Sequence, residues 1–508
     1  MTSCYLQIQQ FYMNSLTAIY FTALIFILPL CAKSQEKDVD KILVVTNVTI
    51  IDTKGSLPKA HMTVMIINNV ITNIGEKNKI KIPKGAFVVD ASNKFIIPGL
   101  WAMHVHDVCN SKWGKSVFMP MYIANGVTGV RDMGGPNSGV PDTVFKRREE
   151  IKEGKLLAPR IVAAGYFIMG DVRGPREAIR VSNDSDGRHA VDFIKNAGAD
   201  FVKVKELVPR EAYFAIADEA RKQTIPLVGH VPFSIDAVEA VNAGQKSIEH
   251  LDGIWFTCST EGNQLRQDAF DSELKMFQGK SAQSATFQKI IYALDTAMKT
   301  YSEQKADSAF TRFVSLNTFV CPTLTASQAL ANSGDTTFQN DDRLKYIPAS
   351  IAHGWDPKLN GRLQQLSSND FVLLQNNFQK SLQLVKTMKN AGIKLLAGTD
   401  TSPKASSIPY LFPGFTLLDE LQLYVRAGLT PLEALQTATL NPAKFLDLEK
   451  ECGTVEIDKR ADLVLLEANP LDDIGNITKI NAVIVNGRFI NKDQLQKMLE
   501  DAQIAAKK

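Results

Sequence analysis

No Cys-x-x-Cys pair occurs in this 508-residue chain, whose six cysteines (Cys4, Cys31, Cys109, Cys258, Cys321 and Cys452) stand far apart. That spacing offers neither a zinc knuckle nor a dithiol redox motif. A chain of this length does not depend on disulfides for stability, so buried free thiols are the expected state. An excess of charge of one sign is also lacking, since 57 Lys and Arg face 54 Asp and Glu. So close a balance leaves no electrostatic footprint for nucleic acid or for an anionic membrane. No low-complexity linker and no long-period repeat interrupts the chain. Histidine is scarce, with seven residues at positions 61, 104, 106, 189, 230, 250 and 353.

The first distinctive segment is an apolar run at residues 16–30 (LTAIYFTALIFILPL). It is short for a membrane span, which needs about 20 residues, and suits the apolar region of a signal peptide. Ala32 and Ser34 supply the small residues of a cleavage site, so cleavage is expected after Ser34. The mature protein would then be exported, periplasmic or extracellular, and would keep no membrane span. No Lys or Arg precedes the run, even from Met13, and an uncleaved anchor is the alternative. Cys31 invites a lipoprotein reading, but the bulky Leu30 before it argues against lipidation.

Residues 42–94 and 453–493 share one pattern: short runs rich in Val, Ile and Thr, bounded by Gly, Pro and Asn, as in ILVVTNVTII and AVIVNGRFI. They predict a small β-sandwich domain assembled from both chain ends, residues 35–94 with 452–508. The middle, 95–451, alternates instead between short apolar segments and helical patterns. The apolar segments fall at 95–107, 126–133, 160–165, 201–205, 226–231, 246–251, 319–324 and 394–401. Helical patterns such as AYFAIADEARKQT and FQKSLQLVKTMKNAG lie between them. Strands alternating with helices in this number predict an α/β fold, a (β/α)8 TIM-like barrel. Two polar helical stretches, about 255–318 and 327–390, exceed one βα unit and are insertions, either surface decoration or a cap over the active face.

Four of the seven histidines fall within those apolar segments, at the strand ends where active sites of this fold sit. His104 and His106 are two apart, so on a strand both imidazoles share one face and form a metal clamp. Imidazole suits zinc and other borderline divalent ions. Lys203 and Lys205 share a face of FVKVK, where a lysine is costly unless paired. Carboxylation by carbon dioxide would turn one of them into an anionic bridge between two cations; an ion-paired or substrate-binding lysine is the plainer alternative. His230 and His250 end successive strands, and Asp400 ends the last, where a carboxylate can ligate a metal and act as general base. Asp107 and Asp252 neighbour these ligands and read as ordinary loop carboxylates or as orienting groups.

The segments PGLWAMHVHD, GVTGVRDMGG, GADFVKV, GHV, SIEHLDG and AGTDT, followed by GLTPLEALQTATLNPAKFLDL and GTVEIDKRADLVLLEANPLDDI, resemble the successive motifs of the amidohydrolase superfamily, in its imidazolonepropionase-like and prolidase-like group. The resemblance runs from about 42 to 493. It implies two divalent metal ions, zinc foremost. His104, His106 and Asp400 would hold the more buried ion and His230 and His250 the more exposed one, with a carbon dioxide-derived carbamate on Lys203 between them. The family pattern places the bridging lysine after GAD and two more residues, which selects Lys203 over Lys205. The implied reaction is cleavage of a C–N bond in a small-molecule amide or peptide by a metal-bridging hydroxide, with Asp400 as proton shuttle, in the manner of a dipeptidase or carboxypeptidase. A mononuclear cyclic-amide hydrolase or deaminase, or a non-catalytic binding protein on the same fold, are the alternatives. The insertions before Asp400 depart from the family pattern, so substrate choice does not carry over, and the oligomeric state is not readable.

Overall fold

The computed structural model describes residues 41–106, 108–109, 112–134, 141–172 and 178–508. The proposed signal segment with Cys4 and Cys31, and also Asp107, lie outside the described residues. The architecture is α/β with parallel sheets through the middle of the chain.

Seven strands hydrogen-bond in parallel in the order Ala178–Val181, Phe167–Gly170, Val202–Val204, Leu227–Gly229, Gln245–Glu249, Phe319–Cys321 and Lys394–Leu395. Three more, Leu100–Val105, Val127–Asp132 and Arg160–Ala163, form a second parallel sheet. Most of these strands are buried on both faces, which is why they read as apolar runs without alternation. Each of the eight expected segments holds a strand. The pair Phe167–Gly170 and Ala178–Val181 was not among them: Phe167–Gly170 pairs with Val202–Val204. Four apolar residues with no periodicity give too little signal to separate a strand from a loop.

The two parallel sheets are linked by backbone bonds. Asp200 N donates to the carbonyl of Ala163 (2.9 Å), and Met103 N to that of Ala397 (2.7 Å). Thr399 N and Asp400 N both donate to the carbonyl of His104, and His106 N to that of Thr401. The last segment therefore differs from the expectation of one continuous strand through Asp400. It pairs as a strand only at Lys394–Leu395, then crosses to Leu100–Val105. Gly398 permits the crossing, since a Cβ there would lie 2.6 Å from His104 Cβ and 2.4 Å from Cys321 Sγ.

Strands from both chain ends join one mixed eight-stranded sheet, ordered Arg488–Asn491, Ile480–Val485, Leu463–Leu466, Phe95–Pro98, Ile42–Ile50, Lys59–Ile67 and Val70–Glu76, with Phe87–Asp90 beside Ile42–Ile50. The join is the antiparallel pair Leu463–Leu466 and Phe95–Pro98, which places Val464 opposite Ile97. Both residues also belong to the large apolar core of the parallel sheets and their helices, so the core runs continuously across the join.

Between Gln245–Glu249 and Phe319–Cys321 the chain makes four helices, Asp252–Cys258, Gly262–Phe277, Gln283–Lys299 and Glu303–Ser315. A second excursion follows before Lys394–Leu395 and ends in the long helix Ser368–Asn390. Ser367 and Asp370 close that helix's first turn as a capping box, and Phe378, Leu382, Val385 and Met388 bury its apolar stripe. No described helix is long and apolar enough to cross a membrane. Cys109, Cys258 and Cys321 are buried and Cys452 is half-buried; Cys258, Cys321 and Cys452 are free thiols.

Candidate metal centre

The residues after the C-terminal ends of the parallel strands converge. His104 lies within its strand and is fully buried, while His106 follows the strand's end. The ring centroids of His104 and His106 are 5.2 Å apart, those of His104 and His250 4.7 Å, and those of His230 and His250 4.8 Å. Asp400 Oδ1 faces His106 Nε2 at 3.2 Å and His104 Nε2 at 3.3 Å. Ligand atoms of His104, His250 and Asp400 all lie within 4.8 Å of one another. His250 and Asp400 both adopt left-handed backbone, at φ 63° and 55°. Such strain persists where surrounding structure over-determines it, often at functional sites. Gly229, at φ 134°, leads into His230, and a Cβ on it would sit 2.3 Å from the carbonyl of Val204.

Each of the four imidazoles is held at Nδ1. His104 Nδ1 donates to Glu249 Oε2 at 2.7 Å, His106 Nδ1 to the carbonyl of Gly134, and His230 Nδ1 to Glu206. His250 Nδ1 lies 2.7 Å from Thr323 Oγ1, whose own proton goes to the carbonyl of Pro322, so here too the ring donates. All four partners thus hold a proton on Nδ1, which in a neutral ring leaves the lone pair on Nε2. Burial lowers the imidazolium pKa of His106 and His250, and that of His230 to about 3, so these rings stay neutral. The His106 lone pair then faces a carboxylate oxygen of Asp400, acceptor against acceptor. His104 Nε2 is buried without a hydrogen bond. A cation between the three groups resolves the conflict, and an outer acceptor on every ring is the usual arrangement around a bound metal.

Lys203 is fully buried, and its Nζ has no hydrogen-bond partner. Burial pushes its ammonium pKa down to about 7, against the pull of Glu249. Lys205 differs: it follows the strand's end, is half-buried, and its Nζ lies 4.0 Å from Glu206 and over the Phe167 ring. The structure therefore separates two lysines that the sequence places on one face.

Beneath the imidazoles sits a buried ion pair absent from the sequence reading. Arg131 Nη2 donates to both carboxylate oxygens of Glu249 at 2.8 Å, and its Nη1 to Ser247 Oγ at 3.0 Å. Arg131 and Glu249 are both fully enclosed. Burial opposes ionisation of Glu249, but the Arg131 guanidinium and His104 hold its carboxyl well below the usual range. Gln245, Ser247 and Glu249 alternate along one strand, and that spacing was the available signal. Glu206 and Thr323 gave none, since each meets its histidine only through the fold. Asp252 begins the helix after His250 and lines the adjoining cavity. It makes no hydrogen bond to a site histidine among the described residues.

A sequence model of the Amidohydrolase family matches residues 348–490. Curated relatives match shorter stretches. Ochratoxinase of Aspergillus niger is 41% identical over 111 residues, 22% of this chain and 21% of that protein. A 5-methylthioadenosine/S-adenosylhomocysteine deaminase of Moorella thermoacetica is 30% identical over 141 residues, 24% of this chain. The chain spans 32% of the length of that deaminase. A putative prolidase from Bifidobacterium longum superposes over 91% of this chain and 99% of its own with a TM-score of 0.62 at 22% identity, which is a likeness of fold.

Proposed function

The chain belongs to the amidohydrolase superfamily, and we propose from that premise that it is a metal-dependent hydrolase of C–N bonds in small amide or peptide-like substrates. One observation carries this reading: four neighbouring imidazoles are each held at Nδ1 by an outer acceptor, and Nε2 of both His104 and His106 faces one carboxylate. The ring of strands that positions them supports a closed (β/α)8 barrel, because the crossing at Ala397–Thr401 returns the last segment to the first strand.

His104, His106 and Asp400 would hold one divalent ion, and His230 and His250 a second. Bound there, divalent ions would activate water and polarise a substrate carbonyl, with zinc fitting the imidazole-rich donor set. Lys203 would complete the set as a carbamate: its neutral amine adds carbon dioxide and loses a proton, and an anionic oxygen replaces a buried amine that has no partner. The chain's own groups do the rest. Asp400, open on the cavity side, takes the proton of the attacking water on its carboxylate and delivers it to the leaving nitrogen. The fixed tautomers keep every Nε2 available without reorganisation.

A second, mononuclear reading draws on the tight grouping of His104, His250 and Asp400 and on the deaminase among the relatives. Hydrolysis of dipeptides and N-acyl amino acids by protein supplied with zinc and bicarbonate supports the first reading. Hydrolysis confined to cyclic amides or amino-heterocycles supports the second.

A further inference from the structure

Two adjoining cavities flank the candidate centre. One, of about 160 Å³, is bordered by His230 and His250; the other is bordered by His106 and Asp400. They share a wall of Glu206, Glu273, Met276, Gln283 and Arg362. Only Glu206 of these comes from the region of the strand ends. Glu273, Met276 and Gln283 belong to the first insertion and Arg362 to the second. The two insertions meet here, since a Cβ on Gly361 would lie 2.4 Å from Gln283 Oε1. The helical excursions are thus a cap on the active face.

Arg362 is half-buried, yet its guanidinium makes no hydrogen bond or ion pair with any described residue. Its loop is pinned: buried Asn360 donates to the carbonyls of Gly354 (3.2 Å) and Ser407 (3.0 Å) and accepts from Arg362 N at 3.1 Å. The nearby Glu273 carboxyl also makes no hydrogen bond among the described residues. Burial, with the Glu206 carboxylate beside it, pushes Glu273 up to about 8, so at neutral pH it is mostly protonated and offers the guanidinium little countercharge. A preorganised arginine with unspent donors at the wall of an active-site cavity matches a planar anion. Phe287 and Ile290 of the same cap give the cavity an apolar side.

We propose that Arg362 is the specificity anchor of this cap, binding the free carboxylate of an amide substrate whose apolar portion lies against Phe287 and Ile290. The assignment rests on the hydrolase reading for the identity of the site, but its test does not require turnover. Calorimetric titration of the zinc-loaded protein would compare N-acetyl-L-phenylalanine with its neutral carboxamide. The acid binds about ten- to hundred-fold more tightly, the range of a charge-assisted hydrogen-bonded pair. Arg362→Met abolishes that preference, and Arg362→Lys, which keeps the charge but loses the fork, retains part of it. Metal content and thermal midpoint of both variants match wild type. Equal affinity for the two probes, binding of neither, or a preference that survives in Arg362→Met overturns the anchor. If the preference exists as described and no amide is hydrolysed, the hydrolase reading fails and the anchor stands. If amides are hydrolysed and Arg362→Met keeps the preference, the anchor fails and the hydrolase reading stands.

Discussion

Replacing Arg131 by Met tests the buried base of the site. The substitution removes both hydrogen bonds of Nη2 to Glu249 and that of Nη1 to Ser247, while its unbranched chain fills much of the same space. Glu249 keeps His104 and Ser247 as partners but loses its compensating charge in a fully enclosed setting. Hydrogen bonds to charged groups contribute about 1.5–3 kcal/mol each, and stranding one half of a buried ion pair costs about 3–5 kcal/mol. The expected loss in unfolding free energy at pH 7 is therefore about 3–5 kcal/mol. Its sign with pH is fixed by Glu249. Arg131 holds that carboxyl below its ordinary value of 4.5, so the stabilisation is present above that value and is lost as pH falls through the lower folded value. Urea denaturation of wild type and Arg131→Met at pH 7 and at pH 4 measures both effects, with a smaller gap at pH 4. The double variant Arg131→Met/Glu249→Leu should recover part of the loss. A cost under about 1 kcal/mol at pH 7, or a gap that widens on acidification, would refute the reasoning.

Three further outcomes are expected. Lys203→Ala loses metal and most activity while Lys205→Ala is milder, and short-chain carboxylic acids partly restore Lys203→Ala; metal depletion in Lys205→Ala instead would reverse the assignment. Asp400→Asn retains much of its metal but loses about 10²–10⁴ in turnover, because the amide cannot shuttle a proton; full activity in a metal-replete variant would remove Asp400 from that role. Glu420 is fully buried, accepts from Leu324 N (2.9 Å) and Thr325 N (2.7 Å), and is pushed up by burial to about 7. Its raised value favours the folded state most below the ordinary 4.5, and that advantage fades as pH rises through about 7. Glu420→Gln should therefore flatten the fall in thermal midpoint between pH 5 and pH 8, and an unchanged slope would count against a titrating Glu420.

Much of the scaffold was legible because parallel strands buried on both faces leave dense apolar runs, and each expected run holds a strand. The histidines stood out because so few occur, and four of them follow such runs. Structure brings His104, His106, His230, His250 and Asp400 together and encloses Lys203 rather than Lys205. What lay beyond the sequence shares one cause, dependence on contacts between distant segments. Glu249 reads as a polar strand end beside His250 until Arg131, 118 positions earlier, is folded onto it. Thr323 acquires its role only because left-handed backbone, at φ 51°, aims its hydroxyl at His250. Asp400 leaves its strand because the backbone there pairs with His104 instead. The insertions looked polar and helical, and only their meeting at Gly361 and Gln283 distinguishes a cap from surface decoration.

The central claim is that four imidazoles, Asp400 and a modified Lys203 hold a pair of divalent ions. Elemental analysis of protein purified with zinc and bicarbonate, beside Lys203→Ala treated identically, tests it most directly. The account predicts about two ions per wild-type chain and about one or fewer in the variant. A single ion in both proteins, or none in wild type, would contradict it.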